Sequence, residues 1–178
     1  MSKKQELLTN AAKIINEEGI QKFTMDYLAK KSGITKGGVL YHFDSKNKLL
    51  LEMNEMVIQI YEENIEHYRS QLSGSYLFTR AYALSTIYFL NNNENNLLPA
   101  VFISSHEDQK SQQLWQSVLA KWDQAFDHDQ GDPDKILELR MICDGIWFSI
   151  MYNYENNLKD RMEQIVQQFC HSMEKEAF

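Results

Sequence analysis

Within eleven residues the chain places Lys36, Leu40, Tyr41, His42 and Lys46. Lysine, tyrosine and imidazole donate hydrogen bonds to phosphate oxygens, and a leucine offers an apolar contact to a thymine methyl group. Such a set suits a surface that grips a polyanion and also touches base edges.

The flanking residues supply elements that could hold this set in place. Thr24 can cap a helix over Met25 to Lys31, with Asp26 near the positive end of its dipole. Leu28 and Ala29 give that helix an apolar side. Ser32-Gly33-Ile34 supplies a turn, in which Gly33 is able to take the left-handed conformation that other residues avoid. Thr35 can cap the next helix. At 100° per residue Val39 and Phe43 fall on one face, with Gly37, Gly38 and Tyr41 roughly opposite. Each glycine costs a helix about 1 kcal/mol relative to alanine, so two of them on the outer face suggest a surface that something must approach closely. The layout is that of a helix-turn-helix whose second helix enters the DNA major groove. Taken alone, the same pattern also suits a plain packing helix.

The order of residues across the first fifty positions resembles the N-terminal domain of TetR-family transcriptional regulators. The likeness runs through Leu7, Leu8, Ala11, Ala12, Ile14 and Ile15 ended by Gly19, then Phe23-Thr24, Leu28-Ala29, Ser32 to Gly37, Leu40 to Phe43, and Ser45-Lys46 leading to Leu49. The resemblance implies backbone-phosphate contacts at Thr24, Tyr41, His42 and Lys46, and base-facing contacts at Thr35, Lys36, Gly37 and Leu40. Residue 40 departs from the family pattern, being leucine where a polar or aromatic residue is frequent. The remaining residues, about 130, match the family in helical character and length.

Charge is divided unevenly. The whole chain carries −7, but residues 1 to 50 hold nine lysines against five acids, a net of +4, leaving −11 on the rest. Such a split draws phosphates to one end and predicts affinity that falls steeply with salt. With 43% hydrophobic residues the chain supports one or two compact domains. No apolar run is long enough to span a bilayer, and the start Met-Ser-Lys-Lys-Gln-Glu lacks a signal-peptide core, so a cytoplasmic location and no membrane partner are expected. Cys143 and Cys170 have apolar neighbours and no metal-ligand spacing, which favours buried free thiols. His106-Glu107-Asp108 and Asp127-His128-Asp129 have no partners at metal spacing and are expected to be solvated. There is no phosphate loop, no nucleophile elbow and no catalytic carboxylate pair. No enzyme activity, metal or cofactor is expected.

Beyond residue 46 the periodicity predicts helices near 46–72, 76–91, 98–105, 109–127, 133–153 and 157–175, with loops at Asn91 to Asn96 and Asp127 to Asp132. Pro99 and Pro133 stand where prolines open helices. The 46–72 helix contains neither glycine nor proline, and is expected to be a stiff lever between the two ends of the molecule. Residues 136 to 154 are apolar on more than one face. Such a helix is suited to meet its own core on one side and a second copy on the other. With the last helix it forms an expected four-helix dimer interface through Ile146, Ile150, Met162, Ile165, Phe169 and Met173, which the resemblance also implies. Tyr82, Phe89, Phe102, Trp115, Trp122, Trp147 and Met151 suit ordinary packing, while a subset could line a pocket for an apolar or aromatic ligand of the kind TetR-like proteins hold.

The resulting expectation is an all-α protein. Residues 1–46 form a three-helix DNA-binding domain with a helix-turn-helix, and residues 47–178 a helical bundle for effector binding and dimerisation. Its partners would be double-stranded palindromic DNA, a second copy of the chain and an unknown small-molecule effector, the outcome most naturally being repression. An interaction protein that keeps this scaffold but works through a protein partner is the alternative.

Overall fold

In a computed structural model the structure describes residues 2–92, 97–152 and 157–175, and among these there is no strand. The order is α1 (Lys3–Glu18), α2 (Met25–Lys31), α3 (Lys36–His42), α4 (Lys46–Gln71), α5 (Leu77–Asn92), α6 (Leu97–Glu107), α7 (Gln109–Asp127), α8 (Pro133–Tyr152) and α9 (Lys159–Glu174). The expected all-α class is met. Asn91 and Asn92, expected in a loop, instead close α5. Residues 93–96 of that expected loop, and residues 153 and 154 at the end of the 136–154 stretch, lie outside the described residues.

Contacts gather the chain into two compact units, Met1–Ile58 with Asn93–Gln116, and Gln59–Asn92 with Ser117–Phe178. This grouping differs from the single boundary expected after residue 46, because α6 packs on α1. Both helices bury small residues, Ala11 and Ala12 on α1 and Ala100 and Ser104 on α6. Small side chains let helix axes come close, and sequence separation does not register that fit.

The first unit starts from a capping box, in which the Ser2 hydroxyl accepts from the Gln5 N–H at 3.2 Å and the Gln5 side-chain Oε1 accepts from the Ser2 N–H at 2.9 Å. Leu7, Ala11, Phe23, Leu28, Val39, Phe43, Leu49 and Met53 are almost wholly buried, each large one contributing roughly 1.5–3 kcal/mol. A polar junction joins three helices. Asn54 of α4 donates to the Leu50 carbonyl at 2.8 Å and the Ser104 hydroxyl at 3.0 Å, and accepts from the Trp115 indole N–H at 2.7 Å. Asp108, expected to be solvated, is buried and caps α7 by accepting from the Ser111 N–H and hydroxyl, both at 2.8 Å.

In the second unit α5 packs on α8 and α9. Its N-terminus is capped from afar: Asp129 accepts from the Thr79 N–H at 2.8 Å, the Thr79 hydroxyl at 2.7 Å and the Phe78 N–H at 3.2 Å. Asp129 is thus a second correction to the solvated expectation, since orphan N–H groups at a helix start seek a carboxylate. The adjoining loop is pinned by Tyr76, fully buried at φ 57. Its N–H donates to Gln130 O at 2.8 Å, and its hydroxyl accepts from the Asp132 N–H at 2.9 Å. Cys143 and Cys170 are buried and free, as expected. Burial pushes their thiols up to about 12 and about 11, which keeps them protonated at neutral pH.

A Cβ added at Gly131 would overlap the Tyr76 ring. Gly131→Ala should therefore destabilise the protein by about 1–3 kcal/mol, because the buried tyrosine has nowhere to yield. A denaturant titration that shows an unchanged midpoint would contradict this account of the loop.

Candidate nucleic-acid interface

The helix-turn-helix forms as its residue types require. The Thr24 hydroxyl accepts from the Tyr27 N–H at 3.1 Å to start α2, and the Thr35 hydroxyl accepts from the Gly38 N–H at 3.1 Å to start α3. Between them Gly33 turns at φ 66. α2 and α3 pack together, and hiding Val39 and Phe43 turns the rest of α3 outward. Tyr41 is 85% exposed, its ring meeting His42 edge-on at 5.2 Å, and Leu40 stands half-exposed beside it. Thr24, Thr35, Lys36 and Gly37 are exposed as well, while His42 and Lys46 are intermediate.

The glycines are not forced by the interior. A Cβ at Gly37 would meet only the Thr35 hydroxyl at 3.8 Å, and one at Gly38 would touch Ile34 at 3.4 Å, both ordinary contacts. The notch is open at Gly37, which is exposed, while Gly38 is half-buried.

Charges on this face are held in place. Lys36 Nζ lies 2.8 Å from an Asp26 carboxylate oxygen. Lys46 donates to the Ile20 carbonyl at 3.2 Å and lies over the Phe23 ring, so it fixes the α1 to α2 loop as well as carrying charge. Glu18 accepts from the Tyr27 hydroxyl at 2.9 Å and pairs with Lys31 at 3.2 Å. The Tyr27 hydrogen bond, then the Lys31 ammonium, holds the Glu18 carboxyl below its ordinary range, and Glu18 in turn raises Lys31. Neither the Asp26 pairing nor the Lys46 tether is visible in the sequence, since both join residues on different elements.

Residues 7–53 match the profile described as "Bacterial regulatory proteins, tetR family", and residues 77–170 match "Tetracyclin repressor-like, C-terminal domain". The chain belongs to the TetR family. It is a DNA-binding transcriptional regulator of that family by its helix-turn-helix and its C-terminal domain. Solved structures share the fold at low identity, among them a TetR-family regulator. PfmR from Thermus thermophilus is 14% identical over 93% of this chain and 97% of its own, with a TM-score of 0.64. The ketosteroid transcriptional regulator KstR2 of Mycobacterium tuberculosis is 18% identical over 98% and 96%, at 0.62. The multidrug binding protein EbrR, complexed with malachite green, is 12% identical over 95% and 98%, at 0.63. No curated protein matches the chain.

The aromatic residues singled out in the sequence do not form one group. Tyr82, Phe89, Trp122 and Trp147 surround Tyr61 in the second unit, with ring centroids 5.3, 5.4, 5.0 and 5.0 Å from it. Phe102 and Trp115 belong to the first unit, Phe102 against His106 and Trp115 bonded to Asn54. Met151 is half-buried on α8. Tyr61, not among the residues picked out from the sequence, donates to the Tyr82 carbonyl at 3.0 Å and lies 2.7 Å from the Thr86 hydroxyl. Burial holds its phenol well above the ordinary range. Its signal was the four-residue spacing of Val57, Tyr61 and Ile65. Beside this cluster an open cleft of about 180 Å³ runs along Glu62, Ile65, Glu66, Phe78, Lys121 and Trp122.

The partner-facing residues need correction. Ile146, Ile150 and Met173 are buried inside the chain, so a second copy could not reach them. The outward apolar stripe of α8 is instead Leu137, Met141, Phe148 and Tyr152, all at least half-exposed. Near it in sequence Leu158 and Ile165 are also exposed, and Met162 and Phe169 are half-buried. Periodicity placed apolar residues on both sides of α8 without telling which side its own core would claim.

Because the space at Gly37 is open, Gly37→Ala should raise stability by up to about 1 kcal/mol and still weaken DNA binding. Paired thermal melts and gel shifts check the two signs. Alanine that leaves affinity unchanged would show that the notch serves no close approach.

Proposed function

We propose that the protein is a homodimeric repressor that binds a palindromic operator through α3 and is released by a small-molecule effector. The observation that carries this reading is the outer face of α3, where Tyr41 and a glycine notch stand exposed beside Lys36. Thr24, Tyr41, His42 and Lys46 hold phosphates, while Thr35, Lys36, Gly37 and Leu40 face the bases. Leu40 contributes an apolar contact to a thymine methyl. Two such helices must meet successive major grooves, so half-sites about 34–36 Å apart require a dimer. The exposed stripe Leu137, Met141, Phe148 and Tyr152, joined by Met162, Ile165 and Phe169, supplies that contact.

The effector is apolar or aromatic and enters from the cleft beside Trp122, parting the rings around Tyr61. Phe89, Tyr82, Trp147 and Met151 then line its site. The likeness to EbrR, whose structure holds malachite green, supports an aromatic ligand. Release requires that the effector bind the DNA-incompetent arrangement more tightly than the competent one.

Sequencing the DNA fragments retained by purified protein tests the central claim: a shared inverted repeat should emerge. Tyr41→Ala should then weaken binding to every fragment about tenfold, with little change in preference, because a phosphate contact carries no sequence information. Anisotropy titrations that show unaltered affinity would count against the recognition helix.

Met141→Glu places a charge in the centre of the proposed contact and should convert dimer to monomer without loss of helix. Sedimentation velocity and far-ultraviolet circular dichroism read the two effects, and a Met141→Glu protein that still sediments as a dimer would move the interface elsewhere.

A further inference from the structure

We infer that Asp26 and Lys36 act as one donor–acceptor pair that reads a single G·C base pair, so that an acid of α2 contributes to operator choice. The inference rests on α3 being the recognition helix, and it adds a residue from the neighbouring helix to the reading surface.

Asp26 has no evident structural need to face Lys36. Its side chain is 66% exposed and that of Lys36 54%, and they meet at 2.8 Å across the turn between two packed helices. A carboxylate at this place lowers the attraction of the face for phosphates, whatever the sequence. A carboxylate can only accept, and in the major groove the cytosine N4 amino group is the donor it matches, while lysine donates to guanine N7 and O6. Guanine O6 and cytosine N4 pair with each other, so they lie about 3 Å apart. That separation is also the one between the Lys36 ammonium and the Asp26 oxygen. The two side chains can therefore lie along the edge of one G·C pair without parting. On an A·T pair the single adenine N6 donor lies between two acceptors, which leaves the ammonium one acceptor where guanine offers two.

Both ends of the pair are held by backbone. Asp26 sits in the first turn of α2, fixed by the Thr24 cap, and Lys36 opens α3 behind the Thr35 cap. Little ordering is left to be done when DNA arrives.

The test begins with an operator selected by the wild-type protein from random DNA. Each base pair of the half-site is then replaced in turn, and affinities are measured by anisotropy for wild type, Asp26→Ala, Asp26→Glu and Lys36→Ala. One G·C pair should exist whose replacement by A·T weakens wild-type binding about tenfold or more. At that pair alone Asp26→Ala should cut the penalty to about threefold or less, while it raises affinity for all sequences through the lost negative charge. Asp26→Glu should keep the penalty, and Lys36→Ala should blur the same pair.

A uniform rise in affinity for Asp26→Ala, with every penalty intact, would make Asp26 a mere electrostatic brake and overturn the inference. So would a preferred A·T at the position that Lys36→Ala blurs. Thermal melts check that the variants fold, and Asp26→Ser carries the same comparison if alanine unfolds α2. A wild-type protein that selects no sequence would overturn the recognition-helix reading and this inference with it.

Discussion

The helix-turn-helix depends on the burial of Val39 and Phe43. Both side chains are almost wholly removed from water, and a seven-residue helix has too little internal hydrogen bonding to hold its own orientation. Once these two are seated, the helical repeat leaves no choice about what faces out. Tyr41, Leu40, Lys36 and Gly37 are displayed because their neighbours are hidden. The caps at Thr24 and Thr35 then set where each short helix starts, so that the displayed groups stand in fixed register.

Charge on that face is managed rather than simply accumulated. Lys36 is shared with Asp26 and Lys31 with Glu18, and Lys46 is tethered to a backbone carbonyl. Exposed ion pairs of this kind contribute little to stability, about 0–1 kcal/mol each. Their value lies in position, since a long flexible lysine held in one place loses less freedom when it meets a phosphate or a base. The second unit follows a different logic, with rings packed around a fully buried tyrosine and loops fastened by Asp129 and Tyr76. There polar groups close the fold, and an open cleft lies beside Trp122.

Much of the first unit was legible in the sequence because its signals are local. A threonine before a helix, a glycine in a turn and a repeat of 3.6 residues each act over a few positions, and Thr24, Gly33, Val39 and Phe43 took the roles that these signals assign. The aromatic residues of the rest were harder. Tyr82, Phe89, Trp122 and Trp147 came together, but Tyr61 at their centre stands on a helix read in the sequence for its lack of glycine and proline. Phe102 and Trp115 went to the other unit, the latter drawn by Asn54, a buried amide that no pattern announces.

By itself the sequence determined the helical class, the two capped helices with their glycine turn, the face of α3 that is hidden and the uneven division of charge. Each follows from interactions between residues close along the chain. Only the tertiary structure decided that α6 packs on α1, that Ile146, Ile150 and Met173 belong to the interior while Met141 and Phe148 face out, and that Asp26 holds Lys36. Those outcomes turn on which helix lies against which, and an apolar side chain carries no label that says whose surface it will cover.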